Sequence, residues 1–284
     1  MKLFWRAGLF LCLSISVLMM PSALKRLTHS FHASRLHLNI PDGCRGAISQ
    51  ISIDEVCQIL SQDFVYLGRG SQSFAFASDD GSYVLKLFIF DSMDSFSHRL
   101  FEKSFDSGMI QQKAIHTFDA CKLACQFLPQ ETGVLFVHFN TQKKSLPTVR
   151  LIGPAWKRQE IHPEEFCFVL QKRALGLDEV LMQACLLSDK DRFFSMVDQL
   201  NRLLTRRIDC GIANTDPTLF ENFGVIDGQV AEIDFGNYVF CPEIFTKSRS
   251  EYEKTRYTDQ LLKWVERTIP QWKDSVAVRL KENQ

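Results

Sequence analysis

The stretch Asn222-Phe223-Gly224-Val225-Ile226-Asp227-Gly228-Gln229-Val230-Ala231-Glu232-Ile233-Asp234-Phe235-Gly236 decides how the chain is read. Two short apolar runs, Val225-Ile226 and residues 230–233, flank Asp227-Gly228. An Asp-Gly pair supplies the positive φ angles of a two-residue hairpin turn, so the segment is predicted to fold back on itself. The two ends of a hairpin lie side by side, which brings Asn222 next to Asp234. An amide oxygen beside a carboxylate suits a hard, oxygen-seeking cation. Asp216 stands six residues before Asn222, on the loop after a predicted long helix.

Upstream, Phe193, Val197, Leu200, Leu204 and Ile208 form the apolar stripe of that helix. Ser188-x-x-Asp191 reads as its capping box. Downstream, residues 252–269 and 272–280 read as two helices separated by Pro270. Nearer the N-terminus, Ile53, Val56, Cys57 and Leu60 recur at helical spacing. The period then changes to that of strands. Phe64-Val65-Tyr66-Leu67 leads into Gly68-Arg69-Gly70-Ser71, then Phe74-Ala75-Phe76-Ala77, the turn Asp79-Asp80-Gly81, and Tyr83-Val84-Leu85-Lys86-Leu87-Phe88. This is an antiparallel meander. Ile110, Ala114, Phe118, Cys121 and Cys125 then predict a helix that Pro129 stops, and strands are expected at 148–152 and 166–170. The class is α+β.

In this order the pieces resemble the protein-kinase-like superfamily. Asp216, Asn222 and Asp234-Phe235-Gly236 resemble its catalytic loop and metal-binding segment, and Gly68-Arg69-Gly70 with Phe74 resembles its phosphate loop. Val84-Leu85-Lys86 resembles the third-strand lysine motif, and residues 166–174 the strand that enters the adenine-holding hinge. The resemblance implies a two-lobed fold. An N-lobe of antiparallel sheet plus helix would span 51–173, and a reduced, mainly helical C-lobe with a short β-hairpin would span 174–284. It implies ATP and Mg²⁺ as cofactors. Backbone amides near Gly68, Gly70 and Ser71 would cradle phosphate oxygens, and Lys86 would neutralise the α and β phosphates. Gln171 and Arg173 would contact the cofactor at the hinge. Asn222 and Asp234 would hold Mg²⁺, and Asp216 would orient or deprotonate an acceptor hydroxyl. The acceptor, a small molecule or a protein, is not specified.

The chain departs from the family pattern in four places. Asp216 precedes Asn222 by six residues rather than five, with Pro217 between. Asn214 and Thr215 stand where a His-Arg pair is usual, and Ser73 where a third glycine is usual. The helix expected to give Lys86 an acidic partner has no Glu between Ser107 and Phe127, which leaves Asp119 and Glu131 as candidates. Only 48 residues follow Gly236, with no Ala-Pro-Glu segment, as in small-molecule or effector-type kinases. Three readings stay open: an ATP/Mg²⁺ phosphotransferase, a membrane-anchored pseudokinase scaffold, and a non-catalytic α+β interaction protein.

Composition excludes other classes. The 284 residues are 45% hydrophobic and 23% charged, enough to build a core and against wholesale disorder. Lys plus Arg equals Asp plus Glu at 33 each, so no overall field draws in nucleic acid. The nine cysteines form no C-x-x-C pair, and several sit in apolar runs such as Phe166-Cys167-Phe168, as buried thiols in a reducing compartment do. Neither G-x-S-x-G nor H-E-x-x-H occurs. Residues 1–26 read as a signal peptide or an N-terminal membrane anchor, through the uncharged run 7–24, followed by a linker over 27–50. His29, His32 and His37 in that linker read as solvated. ATP chemistry places the globular domain on the cytoplasmic side of such an anchor. Export is the alternative.

Overall fold

A computed structural model of the chain describes residues 45–70, 72–89, 107–139 and 146–282. The expected anchor or signal over 1–26, the linker histidines and Ser71 lie outside the described residues. Among the described residues, no helix is long and apolar enough to cross a membrane.

The fold is α+β. Its N-terminal part is an eight-stranded sheet in the order β1-β5-β8-β4-β3-β2-β6-β7. The strands are β1 (Gly46–Ser49), β2 (Asp63–Arg69), β3 (Ser73–Ser78), β4 (Tyr83–Phe88), β5 (Val134–Phe139), β6 (Val149–Ile152), β7 (Arg158–Ile161) and β8 (Cys167–Lys172). All neighbours are antiparallel except β2 and β6, which run parallel. The meander β2-β3-β4 is the one expected, and Gly81 turns β3 into β4 at φ 73°. Gly46–Ser49 add a strand within the expected linker. Strand β5 had no sequence signal of its own: Val-Leu-Phe-Val-His-Phe is nearly all apolar, as in a strand buried on both faces, and lacks the alternation that marks a strand.

Alternation along β4 sets the site. Leu85 and Leu87 face a core shared with Phe64, Phe74 and Phe76 and with Val56 and Leu60 of helix α1 (Ile53–Leu60). That helix opens with a complete Ser52/Glu55 capping box. Successive side chains of a strand point to opposite faces, so Lys86 and Phe88 face the other way. There helix α2 (Ser107–Phe127) packs through Ala114, Phe118, Cys121 and Cys125. A one-turn helix, α3 (Pro129–Thr132), ends on Gly133 at φ 64° and feeds β5.

The C-terminal part is helical, with α4 (Leu177–Leu186), α5 (Lys190–Asp209), α6 (Leu219–Asn222), α7 (Lys247–Thr268) and α8 (Lys273–Glu282). The α5 stripe packs against Leu219, Tyr257, Leu261, Val265 and Trp272. The cap of α5 lies one residue beyond the expected box. Asp189 accepts from the Arg192 N–H at 3.0 Å, while Ser188 takes a positive φ of 53° to turn the chain in. Strands β11 (Phe223–Ile226) and β12 (Gln229–Glu232) form the predicted hairpin, with Asp227 at φ 50° and Gly228 at φ 78°. The two-residue strand β9 (Leu175–Gly176), directly after the sheet, pairs with β11. A Cβ on Gly224 would meet the Leu175 carbonyl at 2.6 Å, so this crossing requires glycine. Strands β10 (Ile212–Asn214) and β13 (Tyr238–Phe240) pair beside the hairpin.

Candidate functional site

Where the sheet meets the hairpin, Gly70, Gln72, Ser73, Lys86, Phe88, Val169, Asp234, Phe235 and Gly236 line one narrow cleft. Lys86 reaches across it. Its Nζ donates to the Ile233 carbonyl at 2.5 Å and lies 5.9 Å from the Phe235 ring centroid. Burial pulls the ammonium below its ordinary pKa, and the negative charge of Asp234 pulls it back up. Neither acidic candidate pairs with it. Asp119 holds Lys122 at 3.5 Å, and Glu131 faces Arg206 at 3.8 Å. Cys121 of α2 is buried in the core that packs on this face of β4, and burial pushes its thiol pKa well up.

The hairpin ends meet as the sequence implied. The Asn222 carbonyl accepts from the Ile233 N–H at 2.7 Å and the Asp234 N–H at 3.3 Å. The Asn222 Nδ2 donates to the Asp216 carbonyl at 3.0 Å, and no hydrogen bond among the described residues occupies its Oδ1. Asp234 is exposed, and its Oδ1 accepts from the Gly236 N–H at 3.3 Å. Thr218 donates to the Asp216 Oδ1 at 2.7 Å.

Lys86, Gly70 and Asp234 therefore share a cleft, while Asn222 is tied to Asp234 by its backbone carbonyl and to Asp216 by its side-chain amide. Gly68 stands on the bulged end of β2 with nothing within 4 Å of its Cβ position, and a Cβ at Gly70 would approach only the Ser73 carbonyl, at 3.8 Å. Packing does not demand these glycines, so they leave open space at the loop. The hinge residues lie elsewhere. Gln171 is buried, and its Nε2 donates to the Thr132 carbonyl at 2.5 Å and the Ile233 carbonyl at 3.3 Å. Arg173 is exposed, and its N–H donates to the Ser82 carbonyl at 2.8 Å.

A buried charge network beneath the loop carried no signal in the sequence. Arg207 of α5 is fully buried and pairs with Glu232 of β12, and with Glu253 of α7 at 2.7 Å. Tyr238 donates to Glu232 at 2.7 Å, and Arg256 pairs with Glu253 at 2.7 Å. Asn214 joins this network to the site. Its Nδ2 donates to Glu232 at 2.8 Å and to the Asp234 carbonyl at 3.4 Å, and its Oδ1 accepts the Asp216 N–H at 2.9 Å. Its own N–H donates to Glu253 at 3.1 Å, and its carbonyl accepts from Arg256 at 2.9 Å. Gln260 of α7 secures the extra loop residue. Its Nε2 donates to the Pro217 carbonyl at 2.5 Å, and its Oε1 accepts the Leu219 N–H at 3.0 Å. The residues are far apart in sequence, and ordinary in type, so only folding reveals them.

The donor set suits a hard cation and a polyphosphate. One exposed carboxylate (Asp234) and one ammonium (Lys86) line the cleft beside Gly70, and the Asn222 backbone carbonyl accepts from the Asp234 N–H next to it. Among the described residues, no cluster of three His, Cys, Asp or Glu side chains forms a metal centre by itself. A cation here would thus draw further ligands from phosphate or water.

No family model and no curated protein matches the chain. Among solved structures it is similar to a 2.2 Å crystal structure of WbdD, with 15% identity and a TM-score of 0.39, covering 69% of this chain and 37% of that one. It is also similar to the bifunctional kinase-methyltransferase WbdD (15% identity, TM-score 0.35, 68% and 33% covered) and to WbdD co-crystallised with the kinase inhibitor LY294002 (12%, 0.41, 77% and 45%). The chain spans less than half the length of these structures. At such identities and scores the likeness bears on neither activity nor ligand.

Proposed function

We propose that this chain is an ATP- and Mg²⁺-dependent phosphotransferase of protein-kinase-like fold, acting on an alcohol group. The observation that carries the reading is the convergence of Lys86, Gly70 and Asp234 on one cleft, with Asn222 tied to the Asp234 backbone. Lys86 would neutralise phosphate oxygens, and the Gly70 region would allow their close approach to backbone. Asn222 Oδ1 and the Asp234 carboxylate would hold Mg²⁺, which supplies charge neutralisation at the transferred phosphoryl group. Asp216 would take the proton of the acceptor hydroxyl as its oxygen bonds to the γ-phosphorus and ADP departs. Residues 7–24 would tether the domain to a membrane on its ATP-containing side.

The test is transfer of label from γ-labelled ATP by the full chain, beside Asp234→Ala. Turnover that Asp234→Ala abolishes supports the reading, and equal turnover by both proteins overturns it. One observation favours a second reading, a scaffold that binds nucleotide without turning it over. Among the described residues Lys86 has no acidic partner on α2, whose buried Cys121 packs in the core on that face of β4. Nucleotide-induced thermal stabilisation without label transfer would select that reading.

A further inference from the structure

Gln72 is the residue that crosses the cleft from the loop side. Its carbonyl accepts the Ile89 N–H at 2.7 Å at the loop end of the β3–β4 pairing, so the side-chain bond of the same residue helps to hold this backbone bond closed. Its side chain leaves the sheet, and its Nε2 donates to the Asn237 Oδ1 at 3.0 Å, between residues 165 positions apart. Gln72, Lys86, Asp234 and Gly236 line the same cleft, so the bridge starts from a residue of the wall that Lys86 shares. The fit is close on the far side, where a Cβ on Gly236 would stand 2.8 Å from the Gln72 Oε1. Glycine at this position therefore leaves the volume that the Gln72 amide occupies.

The bridge is also poorly satisfied. The Gln72 Oε1 is buried and has no hydrogen-bond partner among the described residues. A buried acceptor without a donor offsets much of what one amide hydrogen bond contributes. A contact of that kind closes the cleft while staying easy to open. Asn237 is in turn held from the catalytic-loop side, because its carbonyl accepts the Thr215 N–H at 3.0 Å. The bridge thus joins the glycine loop to the segment that carries Asp234, which Thr215, the neighbour of Asp216, holds by a hydrogen bond.

We propose that the Gln72–Asn237 hydrogen bond is a cross-cleft latch, and that a nucleotide reaches Lys86 and Asp234 only when this bond opens. The inference deepens the phosphotransferase reading and rests on it for the identity of the ligand. The latch itself does not depend on that ligand. Closure and binding compete, so removing the latch raises apparent affinity by the factor the closed state had withheld. With the net contribution of this bond largely offset, closed and open forms are nearly equal and that factor is about twofold.

The experiment uses the full chain as wild type, Gln72→Ala, Asn237→Ala and the double variant, all checked for an unchanged thermal midpoint. Two measurements are made on each. The first is amide exchange at Ile89 without nucleotide, because the Gln72 carbonyl protects that amide. Both single variants are expected to speed it, and the double variant no more than either single, as two halves of one bond require. The second is binding of a non-hydrolysable ATP analogue with Mg²⁺, expected to tighten about twofold in each single variant. Unchanged exchange in the single variants overturns the latch, whatever the nucleotide result. Faster exchange with tighter binding supports the whole proposal. Faster exchange with no analogue bound by any form keeps the latch and rejects nucleotide as what it admits.

Discussion

Lys86 of the sheet donates to the main-chain carbonyl of Ile233, one residue before Asp234, at 2.5 Å. The contact links an element early in the chain to one 147 positions later and holds the ammonium at the cleft that Asp234 also lines. Gln171 donates to the same carbonyl at 3.3 Å, so that oxygen keeps a partner if Lys86 is replaced.

Lys86→Met should therefore separate binding from stability. Burial lowers the Lys86 pKa, so the folded state binds its proton less tightly than the unfolded chain does. Stability then rises with pH from the lowered value up to the ordinary 10.5, and at neutral pH the charged group opposes folding. Lys86→Met is expected to melt at least as high as wild type at pH 7 and to lose nucleotide binding by tenfold or more, about 1.4 kcal/mol. Calorimetric melting and titration check both, and a midpoint lowered by several degrees would contradict the account.

Arg207→Met should be among the most damaging single changes in the protein. It leaves Glu232 and Glu253 facing each other in a site with no solvent. Breaking one partner of a buried ion network costs about 3–5 kcal/mol. Urea denaturation should show that loss, and a loss below 1 kcal/mol would mean water reaches the network.

Asn214→Ala should affect chemistry beyond its effect on stability. The side chain holds the Asp216 N–H and the Asp234 carbonyl at once. Its removal also leaves buried groups without partners, at about 1–3 kcal/mol. Under the phosphotransferase reading, the turnover number should fall by at least tenfold while the nucleotide dissociation constant stays within threefold. A fall in binding alone would argue against a positioning role.

His138 should make the N-terminal sheet acid-sensitive. Its imidazole is buried, its Nδ1 lies 3.0 Å from the Phe166 carbonyl, and burial lowers its pKa below 6.5, against smaller opposing effects of that carbonyl and Glu164. The folded state resists the proton that the unfolded chain accepts. The associated stability is complete above pH 6.5 and is lost as pH falls from 6.5 toward the lowered value. His138→Gln should flatten the stability difference between pH 7.5 and 5.0, as measured by denaturant titration at each pH.

The local elements were legible where the chain carries its own punctuation. Asp227-Gly228 set the hairpin, Ser52 with Glu55 capped the first helix, and the β2-β3-β4 meander followed from alternation and turns. Strand β5 was not, because burial on both faces erases alternation. The α5 cap slipped by one residue because Ser188 and Asp189 are both competent caps, and chain direction selected Asp189. Asp119 and Glu131 looked like partners for Lys86 by sequence position alone. Their surface pairings with Lys122 and Arg206 show that helix register decides such matters.

By itself the sequence determined the hairpin that sets Asn222 against Asp234, the face of β4 that carries Lys86, and the α+β class. Each follows from torsional preference and periodicity over a few residues. Only the tertiary structure decided that Gln171 faces inward, that Cys121 rather than an acid stands near Lys86, that Asn214 and Gln260 hold the Asp216 loop, and that Gln72 bridges to Asn237. Apart from the local Asn214–Asp216 bond, those are contacts between segments tens to more than a hundred positions apart. Packing of whole elements fixes them, and no local rule encodes the result.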